Sequence, residues 1–155
     1  MSLDTQIGNR LVKHQWKNIS FLNRFEMCKS EINYGNSRFD FYFENSNELC
    51  YLEVKSVSYV DPELPGHAKF PDAPTKRGLK HLKELIMVKE SGNRAIVLFI
   101  VVREDVIQVE GNYQVDPEFT MKMKTAMEKG VEFYALKCSF TKSGIIIQAQ
   151  IPVKF

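Results

Sequence analysis

EMCKSEINYGNSRFDFYFENSNELCYLEVKSVS, residues 26–58, alternates polar and apolar side chains and is broken twice by short turn signals, which predicts three antiparallel strands. Gly35-Asn36 is a two-residue hairpin centre, because Gly takes positive φ at no steric cost and Asn tolerates it. Ser46-Asn47 is a weaker signal of the same kind. With those centres, facing residues sum to 71 across the first turn and to 93 across the second, so Glu31 stands opposite Asp40 and Asp40 opposite Glu53. The same register groups Ile32, Phe39 and Val54 in one row, Ser30, Phe41 and Leu52 in the next, and Cys28, Phe43 and Cys50 in a third. That face is nearly all apolar and needs a helix or a second sheet over it. The opposite face carries Glu31, Asp40, Glu53 and Lys55. Like charges opposed on a sheet cost roughly 0.2–1 kcal/mol per pair, so a chain that only had to fold gains nothing from such a row. A divalent cation would turn the repulsion into ligation.

A chain of 155 residues, 44% of them hydrophobic, suits one domain with a substantial core and leaves little room for two. Charged residues are interspersed, no apolar run reaches the length of a membrane span, and no secretory leader is visible, so a soluble cytoplasmic protein without membrane contact is expected. Met1-Ser2-Leu3 is open to two readings, a native start or an appended leader. Cys28, Cys50 and Cys138 have no metal-ligand spacing and read as reduced, buried thiols. The net charge of +2 identifies no partner, but seven basic residues stand against three acidic ones between Lys69 and Arg94, enough for a local phosphate-binding patch. On charge alone, a solvated helix face explains that stretch better.

Residues 5–18 place Ile7, Leu11, Val12 and Trp16 near helical spacing, predicting a helix that covers the sheet, with Asn9, Arg10 and His14 on its polar side. Four prolines in residues 61–74 predict an irregular loop flanking the site, in which His67 is a mobile surface residue and Asp72 a turn acceptor near the site. Thr75 caps a helix over 75–90, whose Arg77, His81 and Glu84 share a face with Lys80 beside it. The continuous apolar run 94–102 reads as a strand buried on both sides and parallel to the third strand of the meander. A second helix is expected over 117–129, and a terminal strand pair, 131–139 and 145–153, about Ser143-Gly144.

This order of elements, with an acidic residue on the second strand and Glu-x-Lys on the third, resembles the α/β restriction-endonuclease-like fold of PD-(D/E)xK nucleases, a mixed sheet flanked by helices. Four segments carry a closer resemblance: SRFDF (37–41), CYLEVKSV (50–57), FPDAPTKRGLKHLKEL (70–85) and NRAIVLFIV (93–101). Together they are similar to the sugar fermentation stimulation protein A family. The chain begins near that family's NRL segment, Asn9 to Leu11, so residues 1–155 are expected to form a single nuclease-like domain without the family's N-terminal OB-like domain.

The resemblance implies a DNA-associated protein with a nuclease-type core. Two functions follow from it: hydrolysis of phosphodiester bonds with Mg²⁺ or Mn²⁺, or regulation of sugar-metabolism genes by a DNA-binding module without turnover. Hard cations prefer carboxylate oxygens, which makes Asp40 and Glu53 the metal ligands, with the Val54 carbonyl as a third. Lys55, on the same face, holds or deprotonates the attacking water. Glu31 either completes the metal shell or pairs with Lys55. Lys76, Arg77, Lys80 and His81 are the expected nucleic-acid contacts. From spacing alone, a solvent-facing Glu53–Lys55 ion pair explains the sheet residues equally well, and the resemblance favours the site. A homodimer is left open.

Overall fold

The computed structural model describes residues 5–155; the question raised by Met1-Ser2-Leu3 lies outside them. The meander forms as the turns dictate. β1 (Met27–Tyr34) and β2 (Ser37–Glu44) meet at Gly35, whose φ of 58° is the left-handed value the tight turn requires. Every β1–β2 partner pair sums to 71, and every pair between β2 and β3 (Leu49–Val57) sums to 93. The second turn is closed by the Asn45 side chain, whose Oδ1 accepts from the backbone N–H groups of Asn47 and Glu48, both at 2.8 Å.

One expected row does not survive. Phe41, Phe43, Cys50, Leu52 and Val54 pack in one core, while Phe39, two residues from Phe41, lies in the other core with Ile32 packed against it. The alternation breaks at Asp40. Glu31 sits at φ 56°, the ladder skips the expected Glu31–Asp40 pair, and the β2–β3 ladder stops at Phe41. In place of the next rung, the Asp40 carboxylate accepts the Val54 N–H at 2.7 Å. A side chain has taken over a backbone hydrogen bond, and the strands part there.

Beyond β3 the chain forms β4 (His67–Phe70), α2 (Lys76–Glu90) and β5 (Arg94–Val101), which lies parallel to β3 as expected. It continues through β6 (Gln108–Gly111), α3 (Pro117–Glu128), β7 (Glu132–Thr141), β8 (Gly144–Ile151) and β9 (Val153–Lys154). A six-stranded mixed sheet runs β1-β2-β3-β5-β7-β8, and a small parallel sheet runs β4-β6-β9. The small sheet corrects the expectation that 61–74 is irregular throughout. Its four prolines leave His67–Phe70 proline-free, so that segment keeps every N–H it needs to pair with β6. His67 is half-buried beside Glu110 rather than a mobile surface residue.

The large sheet is covered on both faces. α1 (Thr5–Gln15), followed by a short 3-10 turn, lays Leu11 and Val12 on Phe41, Leu52, Ile96 and Ile100. α2 and α3 cover Phe39, Val97, Phe99 and Phe133 on the other side. Both helices start at side-chain caps, Thr75 accepting from Gly78 N–H and Asp116 from Phe119 N–H. Gly8 sets how closely α1 approaches, since a Cβ there would stand 2.8 Å from Val54 Cγ1. All three cysteines are free, and burial pushes the Cys28 thiol up to about 11 and the Cys50 and Cys138 thiols up to about 12. Among the described residues no helix is long and apolar enough to cross a membrane.

Candidate active site

Where β2 and β3 part, a cleft of about 430 Å³ opens over the second half of β3. Asp40, Glu53 and Lys55 all line it. Glu53 is only 4% exposed, so the solvent-facing ion pair that spacing allowed is not what forms. Lys55 is half-buried and makes no hydrogen bond or ion pair with the described residues.

Each wall has a local cause. Gly8 lets α1 settle on β3, which brings the next residue, Asn9, over Asp40, where its Nδ2 donates to Asp40 Oδ1 at 3.1 Å. Thr75 starts α2 at the residue that turns His81 inward, 8% exposed, against Phe39 and Glu53. His81 Nδ1 stands 2.8 Å from Glu53 Oε2, yet out of hydrogen-bonding alignment, so both buried atoms lack a hydrogen-bond partner. Burial first, then Lys55, Arg77 and Lys80, hold His81 below its ordinary range. That shift favours the neutral imidazole beside Glu53 over the charged one. Asp40 is shifted the opposite way. Burial, then hydrogen bonding and repulsion from Glu53, push it up to about 7, against the lowering effect of the Val54 N–H and Asn9. Buried Glu53 and half-buried Asp40 thus face one another in a polar cleft.

The remaining expected site residues divide. Arg77 lines the cleft, as does Asp72. Glu31 does not: it lies in a neighbouring hollow, exposed, with Arg38 Nη2 at 3.3 Å. The row of three carboxylates is therefore a pair, because the irregular backbone at Glu31 removes it from the ladder. Lys80 donates from Nζ to the Asn36 carbonyl at 2.8 Å and so ties α2 to the hairpin turn. Lys76 is exposed at the start of α2 and is not part of the cleft wall. Asn9, read from sequence as a surface residue, is a partner of Asp40, and Arg38 lines the cleft without having been singled out. The signal for Asn9 was the glycine before it, a small residue at the point where the helix must come close.

Among the described residues no three His, Cys, Asp or Glu side chains are grouped to hold a metal ion by themselves. What is present is two carboxylates, one with an unpartnered buried oxygen, and the Val54 backbone at the cleft wall. This donor set is oxygen-rich and incomplete. It fits a hard cation such as Mg²⁺, which keeps several waters and binds through one or two carboxylates plus substrate phosphates.

Known proteins share this sequence and fold. Residues 6–144 match the family model described as "Sugar fermentation stimulation protein RE domain". A sugar fermentation stimulation protein homolog of Caldanaerobacter subterraneus subsp. tengcongensis is 40% identical over 155 residues, covering 99% of this chain and 66% of that protein. One from Desulforamulus reducens is 40% identical over 156 residues, covering 99% of this chain and 64% of that protein. This chain thus spans a little under two thirds of the length of these relatives. A solved structure titled "The structure of Pyrococcus Furiosus SfsA in complex with Ca2+" superposes with a TM-score of 0.86 at 31% identity, over 98% of this chain and 66% of that one. With its sequence matched from the first described helix into the last hairpin, this chain belongs to the sugar fermentation stimulation protein family.

Proposed function

We propose that this chain is a metal-dependent nuclease with a PD-(D/E)xK-type core that hydrolyses phosphodiester bonds in DNA. The observation that carries the reading is that half-buried Asp40 and buried Glu53 line one polar cleft with Lys55, whose side chain has no hydrogen bond or ion pair with the described residues. Repulsion between two carboxylates in such a cleft raises the energy of the fold, and bound positive charge would relieve it. A relative's structure is titled as a complex with Ca²⁺, another hard cation, which supports binding of such a metal by this fold.

Asp40, Glu53 and the Val54 carbonyl would hold the cation. Bound there, Mg²⁺ or Mn²⁺ supplies Lewis acidity toward the phosphate and lowers the pKa of the attacking water. The residues of the chain do the rest. Asp40, poised near pH 7, sheds its proton as positive charge arrives, while its hydrogen bonds to Val54 and Asn9 keep the carboxylate aimed. Lys55, with no partner to leave, holds the attacking water or a phosphoryl oxygen and stabilises the charge that develops in the transition state. His81 packs against Glu53 and closes that side of the cleft around its carboxylate. Arg77 at the rim contacts the phosphate backbone.

Incubation with end-labelled single- and double-stranded DNA and RNA, in Mg²⁺, in Mn²⁺ and in chelator, tests the proposal. Cleavage of DNA that needs metal supports it. Metal-independent binding without cleavage of any nucleic acid would replace it with the regulatory, non-catalytic reading.

A further inference from the structure

The cleft does not end at Asp40. Asp40 and Asn9 also line a second hollow of about 310 Å³, whose other walls are Gln6, Arg10 and Lys13 of α1 and Ser30 and Glu31 of β1. Gln6 stands three and four residues before Asn9 and Arg10, and Lys13 four and three residues after them, so the four form one stripe along the helix. The opposite stripe, Gly8, Leu11 and Val12, is buried on the sheet and fixes the polar one in place.

Strand order tells which way the two hollows lie. Asp40 is on β2, whose neighbours are β3 on one side and β1 on the other. The first hollow lies over β3 and the second over β1, so they flank Asp40 and share it as a wall. Each holds exposed cations, Arg38 and Arg77 in the first and Arg10 and Lys13 in the second. Acidic residues are present too: Glu31 is held by Arg38, and Asp72 lies in the first hollow. A site built for a chain end closes just beyond the reacting phosphate. This one continues past it.

Resting on the nuclease reading above, we propose that a nucleic-acid strand runs through both hollows, so that the protein acts on internal phosphodiester bonds, with Lys13 a phosphate-binding residue that holds the strand beyond the scissile phosphate. Water adds to phosphorus, the ester bond to the leaving oxygen breaks, that oxygen takes up a proton, and two new ends result inside a strand.

Closed circular DNA, single- and double-stranded, has no ends and is compared with the same sequences linearised. Cleavage is followed in Mn²⁺ on denaturing gels and binding in Ca²⁺ by anisotropy. The proteins are wild type, Lys13→Ala, and Lys142→Ala, which removes an exposed charge on the β7–β8 turn, outside both hollows. The expected result is that circles are cut and bound comparably to linear DNA. Lys13→Ala should weaken binding several-fold and flatten its salt slope by about 0.7–0.9, as for one lost phosphate contact; Lys142→Ala should not. Circles that survive while linear DNA is digested, circles bound on the order of tenfold more weakly, or a Lys13→Ala that behaves like Lys142→Ala would each overturn the proposal. If no metal supports cleavage but circles still bind through Lys13, the nuclease reading falls and the through-running groove stands. If neither form binds, both fall.

Discussion

Replacing Asp40 with Asn should stabilise the metal-free protein, and by an amount that grows with pH. Burial and Glu53 raise the Asp40 pKa from 3.8 to about 7 in the folded state. Ionising the folded protein is therefore harder than ionising the unfolded chain. The sign follows directly: the raised group favours the folded state below the unfolded pKa, and that contribution is lost as pH rises through the folded value. About three units at 1.36 kcal/mol each set a ceiling of about 4 kcal/mol, and residual solvent access at Asp40 brings the expected difference to about 2–4 kcal/mol. Asn keeps the acceptor for the Val54 N–H and turns a donor toward Glu53, while the Asn9 amide turns over to accept. The variant thus loses the charge without losing the geometry. Melting curves of both proteins in chelator, from pH 4 to 8, should nearly coincide at the acid end, diverge steadily as pH rises from the unfolded value of 3.8 toward the folded value of about 7, and level off above it at a separation on the order of 5–15 °C for a chain of this size. Because every other titrating group is common to the two, their difference isolates Asp40. A gap that stays constant with pH, or a wild type that gains on the variant as pH rises, would refute the reasoning.

Metal should work against that penalty: a cation at a hundred times its Kd stabilises by about 2.7 kcal/mol, so Mg²⁺ or Mn²⁺ should raise the wild-type melting temperature and leave that of Glu53→Gln unmoved in the same thermal scan. Gly8→Ala should cost about 1–3 kcal/mol of overpacking against Val54 and Ile100, partly offset by better helix propensity. Because Asn9 moves with the helix, its denaturation curve should be matched by a loss of metal affinity in titration calorimetry. Glu132→Ala leaves Arg94 without its two-pronged partner at 2.6 and 2.8 Å, and should destabilise by about 2–4 kcal/mol in urea without changing metal affinity, since this pair lies outside the cleft wall.

The register of the meander was legible because two turns and a two-residue period leave no freedom: each observed ladder pair obeys the sums that Gly35-Asn36 and Ser46-Asn47 impose. The helix cap at Thr75, the buried parallel strand and the terminal hairpin were legible for similarly local reasons. The misplaced Phe39 and Glu31 share one cause, a tertiary contact that overrides a local pattern. Alternation places Phe39 with Phe41, but Asp40 takes the Val54 N–H and the strands part, which sends Phe39 to the other core and leaves Glu31 outside the cleft. β4 was hidden by the prolines around it, and β6 and β9, at four and two residues, are too short to show a period. For the candidate site, the carboxylate pair and lysine could be read from spacing, whereas Asn9 depends on how closely an entire helix approaches the sheet.

The central claim is that Asp40, Glu53 and Lys55 form a catalytic unit in which the carboxylates hold metal and the lysine acts on the reacting groups. Single-turnover cleavage of labelled DNA by wild type and by Lys55→Ala, each with its Mn²⁺ affinity measured in parallel, tests it most directly. The account predicts that Lys55→Ala binds Mn²⁺ and DNA nearly as wild type does but cleaves slower by a factor on the order of 10²–10⁴, the usual scale for a lost acid–base group. Cleavage by Lys55→Ala at the wild-type rate, or a wild type that neither binds Mn²⁺ nor cuts DNA, would contradict it.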